Sequence, residues 1–163
     1  MLGRGVLGLL VIALVAAGGG FIALRTSLPT LDGKIMVAGL HGEVAIARDT
    51  DGVPTITAKD DDDLAFALGY AQAQDRLFQM ELQRRFGAGR LAEIFGQAAV
   101  PVDTQMRVLG LYRSAAAAFD KLSPKVQEGI KAYCAGVNVY LATRGMLLPP
   151  EFLLLRFSPE PWT

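Results

Sequence analysis

The side chains best suited to ionic chemistry lie close together in the run Gly69–Arg85, GYAQAQDRLFQMELQRR, where Gln74, Asp75, Arg76 and Glu81 fall within about two helical turns. Two carboxylates suggest a general acid and a general base. On one helix, however, Asp75 and Glu81 lie about 120° apart and face different neighbours, which argues against that pairing. With Leu64 set at zero and about 100° per residue, Leu64, Ala67, Leu68, Ala71, Phe78, Leu82 and Phe86 share one arc, the stripe expected of a core-facing helix. Asp75 falls inside that arc. Phe66, Tyr70, Ala73, Leu77 and Met80 form a second apolar arc roughly opposite. One polar seam between the arcs holds Gln72, Arg76 and Gln83; the other holds Gln74, Glu81 and Arg85, with Glu81 and Arg85 in the favourable i,i+4 order. A central helix covered on two faces is expected, with Asp75 a buried carboxylate in need of a partner, because an unpaired buried charge costs several kcal/mol or neutralises. Gln74, Asp75, Arg76 and Glu81 are therefore candidates for structural or supporting roles.

Other constellations are incomplete. His41 is the single histidine, in a glycine-flanked connection, and no Gly-x-Ser-x-Gly elbow accompanies it to form a Ser-His-Asp triad. One histidine and one cysteine, Cys134, cannot make a standard zinc site. Asp49 and Asp51 resemble the start of a calcium loop, but the remaining ligands are missing, so a turn is expected there. The acidic run Asp60–Asp63 suits the capping of a helix start, with a metal cluster as the sharper alternative. Gly87-Ala88-Gly89 follows a helix and carries no Lys-Ser/Thr pair, which excludes a phosphate-cradling loop. No catalytic, cofactor-binding or metal-binding residue is expected within this chain.

The elements that position these groups can be read in order. Ile35–Gly39, Glu43–Arg48 and Val53–Ala58 are β-branched-rich runs. The last two, joined by Asp49-Thr50-Asp51-Gly52, predict a β-hairpin, with Ile35–Gly39 a candidate third strand. The central helix is predicted over Asp61–Phe86, ending at Gly87-Ala88-Gly89; a short helix over Arg90–Phe95 then ends at Gly96. Asp103 is a plausible N-cap for a helix reaching Phe119, and Ser123-Pro124 starts another that runs to Thr143, with Gly145 after it. Val126, Ile130, Tyr133, Val137, Tyr140 and Leu141 are its expected core face. The tail from Leu147 to Thr163 is rich in proline and apolar residues, and the chain looks unfinished there.

With 163 residues, 52% hydrophobic, and 16 basic against 16 acidic side chains, one core is the default and a nucleic-acid-binding face is disfavoured. Residues 5–24 carry no charged side chain, are flanked by Arg4 and Arg25, and match the roughly 20 residues needed to cross a bilayer. The positive amino-terminal flank directs the rest of the chain outward. Val15-Ala16-Ala17 is a passable cleavage signal, while the apolar run continues through Leu24, so both a retained anchor and a cleaved signal peptide stay open. The expected organisation is a signal segment over 1–25, a linker over 26–33 and a folded part over 34–163. An envelope location follows, either membrane-anchored or periplasmic.

GYAQAQDRLFQMELQRR followed by GRLAEIFG resembles the signature of the penicillin acylase family of N-terminal-nucleophile hydrolases. The resemblance continues in order through Val44–Asp49, Gly52-Val53-Pro54, Asp103 with Arg107, Leu122-Ser123-Pro124, Tyr133 with Gly136 and Asn138, and Phe157–Trp162, covering about residues 43–163. It implies an exported precursor cut into α and β chains, in which a serine at the start of β attacks the amide of an N-acyl substrate with its own α-amino group as base. It further implies a four-layer αββα sandwich, to which this α+β, helix-rich piece contributes a hairpin, and a calcium ion in the complete enzyme. None of Ser27, Ser114, Ser123 or Ser158 stands at the nucleophile position. By the same resemblance this chain is a truncated α portion, inactive by itself, whose partner is the β chain; an isolated hairpin with an open edge makes poor solubility the expectation without that partner. A membrane-tethered binding or scaffolding module that has lost the chemistry is the alternative.

Overall fold

The structure, a computed structural model, describes residues 2–144 and 148–163. The expected stop of the long helix at Gly145 lies outside the described residues. Helix α1 spans Leu2–Ser27. Its segment Leu10–Ser27 has a mean hydropathy of 1.8 and none of it is buried against the rest of the chain, so it is long and apolar enough to cross a membrane. Gly18–Gly20 do not interrupt it. The Thr26 and Ser27 hydroxyls donate back to the carbonyls of Ile22, Ala23 and Leu24, which satisfies the polar end of the helix internally.

Strands β1 (Ala45–Arg48) and β2 (Pro54–Thr57) form the antiparallel hairpin, with Ala45 opposite Thr57 and Arg48 opposite Pro54. Asp49 makes the turn by accepting from the Asp51 and Val53 N–H groups, while Gly52 takes φ 80°. The third strand expected over Ile35–Gly39 does not form. No strand pairs with that segment among the described residues, and Gly39 at φ 99° turns the chain away toward Phe66.

Helix α2, Asp61–Ala88, is two residues longer at its end than predicted. Asp60 caps it by accepting from Asp63 N–H, and Gly89 closes it at φ 66°. Arg76 departs from helical geometry (φ −149°, ψ 38°), so α2 is kinked directly after Asp75. The two-faced expectation is corrected in its weighting. Phe66, Ala73, Leu77 and Met80, from the second arc, are buried, together with Ala67 and Ala71; Leu64, Leu68 and Phe86, from the first, are exposed. The physical reason is that the core shared with α6 (Pro124–Thr143) gathers the second arc, whereas of the first arc Ala67 and Ala71 are buried and Phe78 packs against the cluster. On α6, Cys134, Val137 and Tyr140 are buried, whereas Val126 and Ile130, expected in the core face, are exposed.

The helix expected from Asp103 to Phe119 is broken. Helix α3 (Ala92–Phe95) runs into a 3₁₀ turn (Gly96–Ala99), followed by α4 (Val100–Leu109) and α5 (Leu111–Phe119), with Gly110 at φ 68° between the last two. Asp103 does not cap its own helix. It is buried in the first turn of α4 and accepts from Leu91 and Ala92 N–H at 2.8 Å each, capping α3 instead. Ser123 has the backbone of an N-cap (φ −62°, ψ 149°), but its side chain makes no capping bond; its carbonyl accepts from Val126 and Gln127 N–H. The proline-rich tail, from which no helix is predicted, forms α7 (Pro150–Leu155). Phe152 is buried in one cluster with Leu77, Met80, Val137 and Tyr140, and Phe157 and Trp162 pack against it.

Candidate functional site

The four ionic candidates separate into two groups. Arg48, at the end of β1, reaches α2 and donates through Nη1 and Nη2 to Asp75 Oδ2 and Oδ1 at 3.0 and 2.8 Å. The same guanidinium donates to Gln74 Oε1 at 2.9 Å and to Gly52 O at 2.9 Å. Gln74 Nε2 in turn donates to Thr30 O at 2.8 Å. One arginine therefore fastens hairpin, helix and the segment before the hairpin together. Bidentate geometry suits this, since the planar fork fixes direction as well as charge. The expectation of a buried Asp75 is corrected: its side chain is 27% exposed, because the covering element is a two-stranded hairpin rather than a packed layer. Arg76 is exposed at the kink and joins neither group.

The buried carboxylate is Glu81. Its side chain is fully buried, and Arg84 Nη2 donates to both of its oxygens at 2.9 and 2.7 Å. Arg85 Nε forms an ion pair with Glu81 Oε1 at 3.1 Å. Two positive neighbours around one buried acid offset the cost of its desolvation. Arg85 continues to Glu93 and to Glu160 Oε1 (3.2 Å), and Arg90 donates to both oxygens of Glu160 at 2.7 and 3.0 Å. The Arg90 hydrogen bonds pull the Glu160 carboxyl down to about 2 and also lower Glu93. Arg84 completes the attachment of the tail, donating to Pro161 O at 2.8 Å and lying 5.2 Å from the centre of the Trp162 ring. From the other side, Asn138 clamps the Trp162 backbone with two bonds of 2.8 Å.

His41, Asp60 and Asp63 also lie together. Asp63 is buried and accepts from the backbone N–H groups of His41 (2.8 Å) and Gly42 (2.9 Å). Asp60 accepts from Asp63 N–H and contacts His41 Nδ1 at 2.9 Å, which raises the His41 pKa. Each carboxylate oxygen is thus already engaged, and two acids with one imidazole fall short of the 6–8 oxygens calcium takes. The set does not fit the implied calcium ion and acts as a brace at the start of α2. An open hollow of about 430 Å³ lies between residues 30–40 and α2, lined by groups such as Lys34, Leu40, Ile46, Phe66 and Tyr70, with no serine or cysteine among its lining residues. No described serine is hydrogen-bonded to His41, which pairs with Asp60.

The fold these contacts hold together is similar to that of a solved protein. Residues 43–163 match the sequence model of the family described as penicillin amidase. The chain belongs to the penicillin amidase family. It is 44% identical over 140 residues to penicillin acylase 2 proenzyme from Pseudomonas sp. (strain SE83), covering 86% of this chain and 18% of that relative. Acyl-homoserine lactone acylase QuiP from Pseudomonas aeruginosa is 38% identical over 136 residues, covering 83% of this chain and 16% of the relative. Among solved structures, a thermostable penicillin G acylase from Alcaligenes faecalis aligns with a TM-score of 0.68 and 37% identity, over 74% of this chain and 66% of that one. The chain thus spans under a fifth of the length of these two curated relatives.

Within this penicillin amidase segment, helical periodicity pointed to Asp75 and to Glu81 with Arg85, but missed their distant partners. Arg48 and Glu160 are separated from them by 27 and 75 residues, and no local spacing encodes such pairs. The available signal was an excess of acids and bases on a helix with two apolar arcs, which requires partners from elsewhere in the chain.

Proposed function

We propose that this chain is the amino-terminal, α portion of an exported N-acyl amide hydrolase whose nucleophile is a serine leading a β chain of the same precursor. The unbroken family match over residues 43–163 carries this reading, beside relatives more than five times as long as the stretch they share with this chain. A terminal serine is chemically suited to the task, because an α-amino group with a pKa near roughly 7.7 supplies a neutral base beside the hydroxyl. The substrates are N-acyl amides of the kind named in the relatives, penicillin-like or acyl-homoserine-lactone-like.

In that enzyme the present residues hold shape. Arg48, Gln74 and Asp75 lock the hairpin to α2, and Glu81 with Arg84 and Arg85 locks the tail, within a four-layer αββα sandwich completed by β. Any calcium is held by residues outside this chain. Helix α1 serves as a retained anchor, with the folded part on the outer side of the membrane, and a cleaved leader is the competing fate.

The test is production of the complete reading frame, with mass spectrometry for a serine-led chain and assays against phenylacetyl, glutaryl and long-chain acyl amides. Cleavage with amide hydrolysis is expected, and the chain ending at Thr163 should be inactive alone. A complete protein that neither cleaves nor hydrolyses any of these overturns the proposal. Asp75→Asn in that protein separates two roles: lost processing marks a structural one, whereas normal processing with slowed turnover places Asp75 behind the active site.

A further inference from the structure

Helix α5 buries none of its nine residues. So short a helix does not hold itself in water, where runs below about 12–15 residues are marginal and stability comes from packing an amphipathic face. Leu111 with Ala115, and Tyr112 with Ala116, stand one turn apart in an apolar stripe. Leu111 and Tyr112 expose 55 and 59% of their surface, and both alanines are exposed. The far end of the helix is partly covered, since Phe119 lies under Lys131 of α6, whose Nζ is 5.9 Å from the ring centre. Tyr112 also lines a hollow of about 280 Å³ with Ala88, Met106, Arg107 and Arg113. Arg107 Nε donates to Gly89 O at 2.8 Å, which leaves its two terminal nitrogens without a partner among the described residues, and Arg113 has none there either. Two guanidinium groups and a phenol therefore meet at a hollow whose lining residues include no acid.

We propose that α5 is a docking face for the part of the precursor that follows residue 163: apolar side chains of that part cover the stripe, and one of its carboxylates enters the hollow between Arg107 and Arg113. This rests on the chain being the amino-terminal portion of a longer precursor. Length selects the occupant. The relatives are more than five times as long as the stretch they share with this chain, so most of the polypeptide able to cover α5 lies beyond that stretch. Charge selects the group. A guanidinium fork pairs with a carboxylate through two parallel N–H···O bonds, and arginine and tyrosine are enriched where protein contacts are strongest. Asp103, the acid of α4, is already engaged, since its two oxygens accept from Leu91 and Ala92 N–H.

The test puts the photo-crosslinker p-benzoylphenylalanine in place of Tyr112 in the complete protein and finds its targets by peptide mass spectrometry. Crosslinks to peptides beyond residue 163, unchanged by dilution, are expected. Crosslinks to residues 1–163 of a second copy, to lipid, or to nothing overturn the proposal. A second arm labels Ala116→Cys and Lys121→Cys with a maleimide; Lys121 is exposed in the connection between α5 and α6 and serves as the open reference. Labelling at 116 is expected several-fold slower than at 121, and Arg113→Glu, which sets an acid against the incoming carboxylate, should speed it more than Arg113→Lys does. Equal rates at 116 and 121, or protection at 116 that Arg113→Glu leaves unchanged, overturn the proposal. The same spectra separate the two readings: crosslinks beyond residue 163 without a serine-led chain overturn the nucleophile alone, whereas a serine-led chain without those crosslinks overturns the docking alone.

Discussion

Gly69 and Gly136 each lie against the backbone of the opposite helix where α2 and α6 cross, and neither has room for a methyl group. A β-carbon on Gly69 would enter the carbonyl of Tyr133; one on Gly136 would enter the carbonyl of Phe66 and sit 3.0 Å from Tyr70 N. The obstacles are backbone atoms, which cannot rotate aside. This crossing sets the separation of the two longest helices of the folded part and thereby the depth at which Ala73, Val137 and Tyr140 interlock.

Gly136→Ala and Gly69→Ala are each expected to lower stability by about 3 kcal/mol or more, because relief requires moving a whole helix. Gly129→Ala, on the same α6 but with open space around it, should instead stabilise by up to about 1 kcal/mol. Thermal unfolding of the three variants of the complete protein checks both signs.

The Arg48–Asp75 pair is bidentate and only partly exposed, so it should exceed an ordinary surface pair. A double-mutant cycle of Arg48→Ala and Asp75→Ala is expected to give a coupling of about 1–2 kcal/mol. Hydrogen exchange should quicken in the 45–57 hairpin in either single variant. An additive cycle would mean that the hairpin is held by its apolar contacts alone.

Glu81→Gln should cost about 3–5 kcal/mol, since it removes the fully buried counter-charge between Arg84 and Arg85 and leaves them only the part-exposed carboxylates of Glu93 and Glu160. Glu81→Asp, which keeps the charge but shortens the reach, should cost less. Chemical denaturation midpoints discriminate the two, and equal losses would show that shape rather than charge is the requirement.

Two pH effects of opposite sign are expected. Glu160, depressed in the folded state to about 2 from an ordinary 4.5, contributes stability that is present above 4.5 and lost as pH falls through the interval to about 2. His41 is raised by its hydrogen bond to Asp60, so its contribution is present below about 6.5 and lost as pH rises through its folded value. Hydrogen exchange followed peptide by peptide should show residues 156–162 loosening in acid and residues 39–43 loosening toward alkaline pH. His41→Gln should abolish the second change and leave the first.

Local chemistry made much of this fold legible in the sequence. The Asp49–Gly52 turn, the Asp60 cap and the span of α6 from Pro124 to Thr143 all follow from contacts within a few residues. What was not legible depended on distant partners. The wheel of α2 could not say which apolar arc α6 would choose, and that choice leaves Leu64 and Leu68 exposed. Asp103 has the composition of an N-cap for its own helix but is drawn to the free amides of Leu91 and Ala92. Asp75 is the carboxylate the wheel marks as buried and in need of a partner, with Glu81 already paired to Arg85, yet the fully buried acid is Glu81, which has two arginines next to it.

The Glu160 clamp has a further meaning during synthesis. Arg85 and Glu160 are 75 residues apart, and Trp162, two residues later, closes over Arg84 and Asn138. Chain leaves the ribosome from its amino end at about 5–20 residues per second, so the charged side of α2 waits on the order of several seconds for its last counter-ion. Through that interval Phe152 and Phe157 are also missing, and the faces of Leu77 and Met80 stay open. The tail is thus the latch that ends an aggregation-prone stage of biosynthesis, and a pause in translation before Glu160 would lengthen that stage.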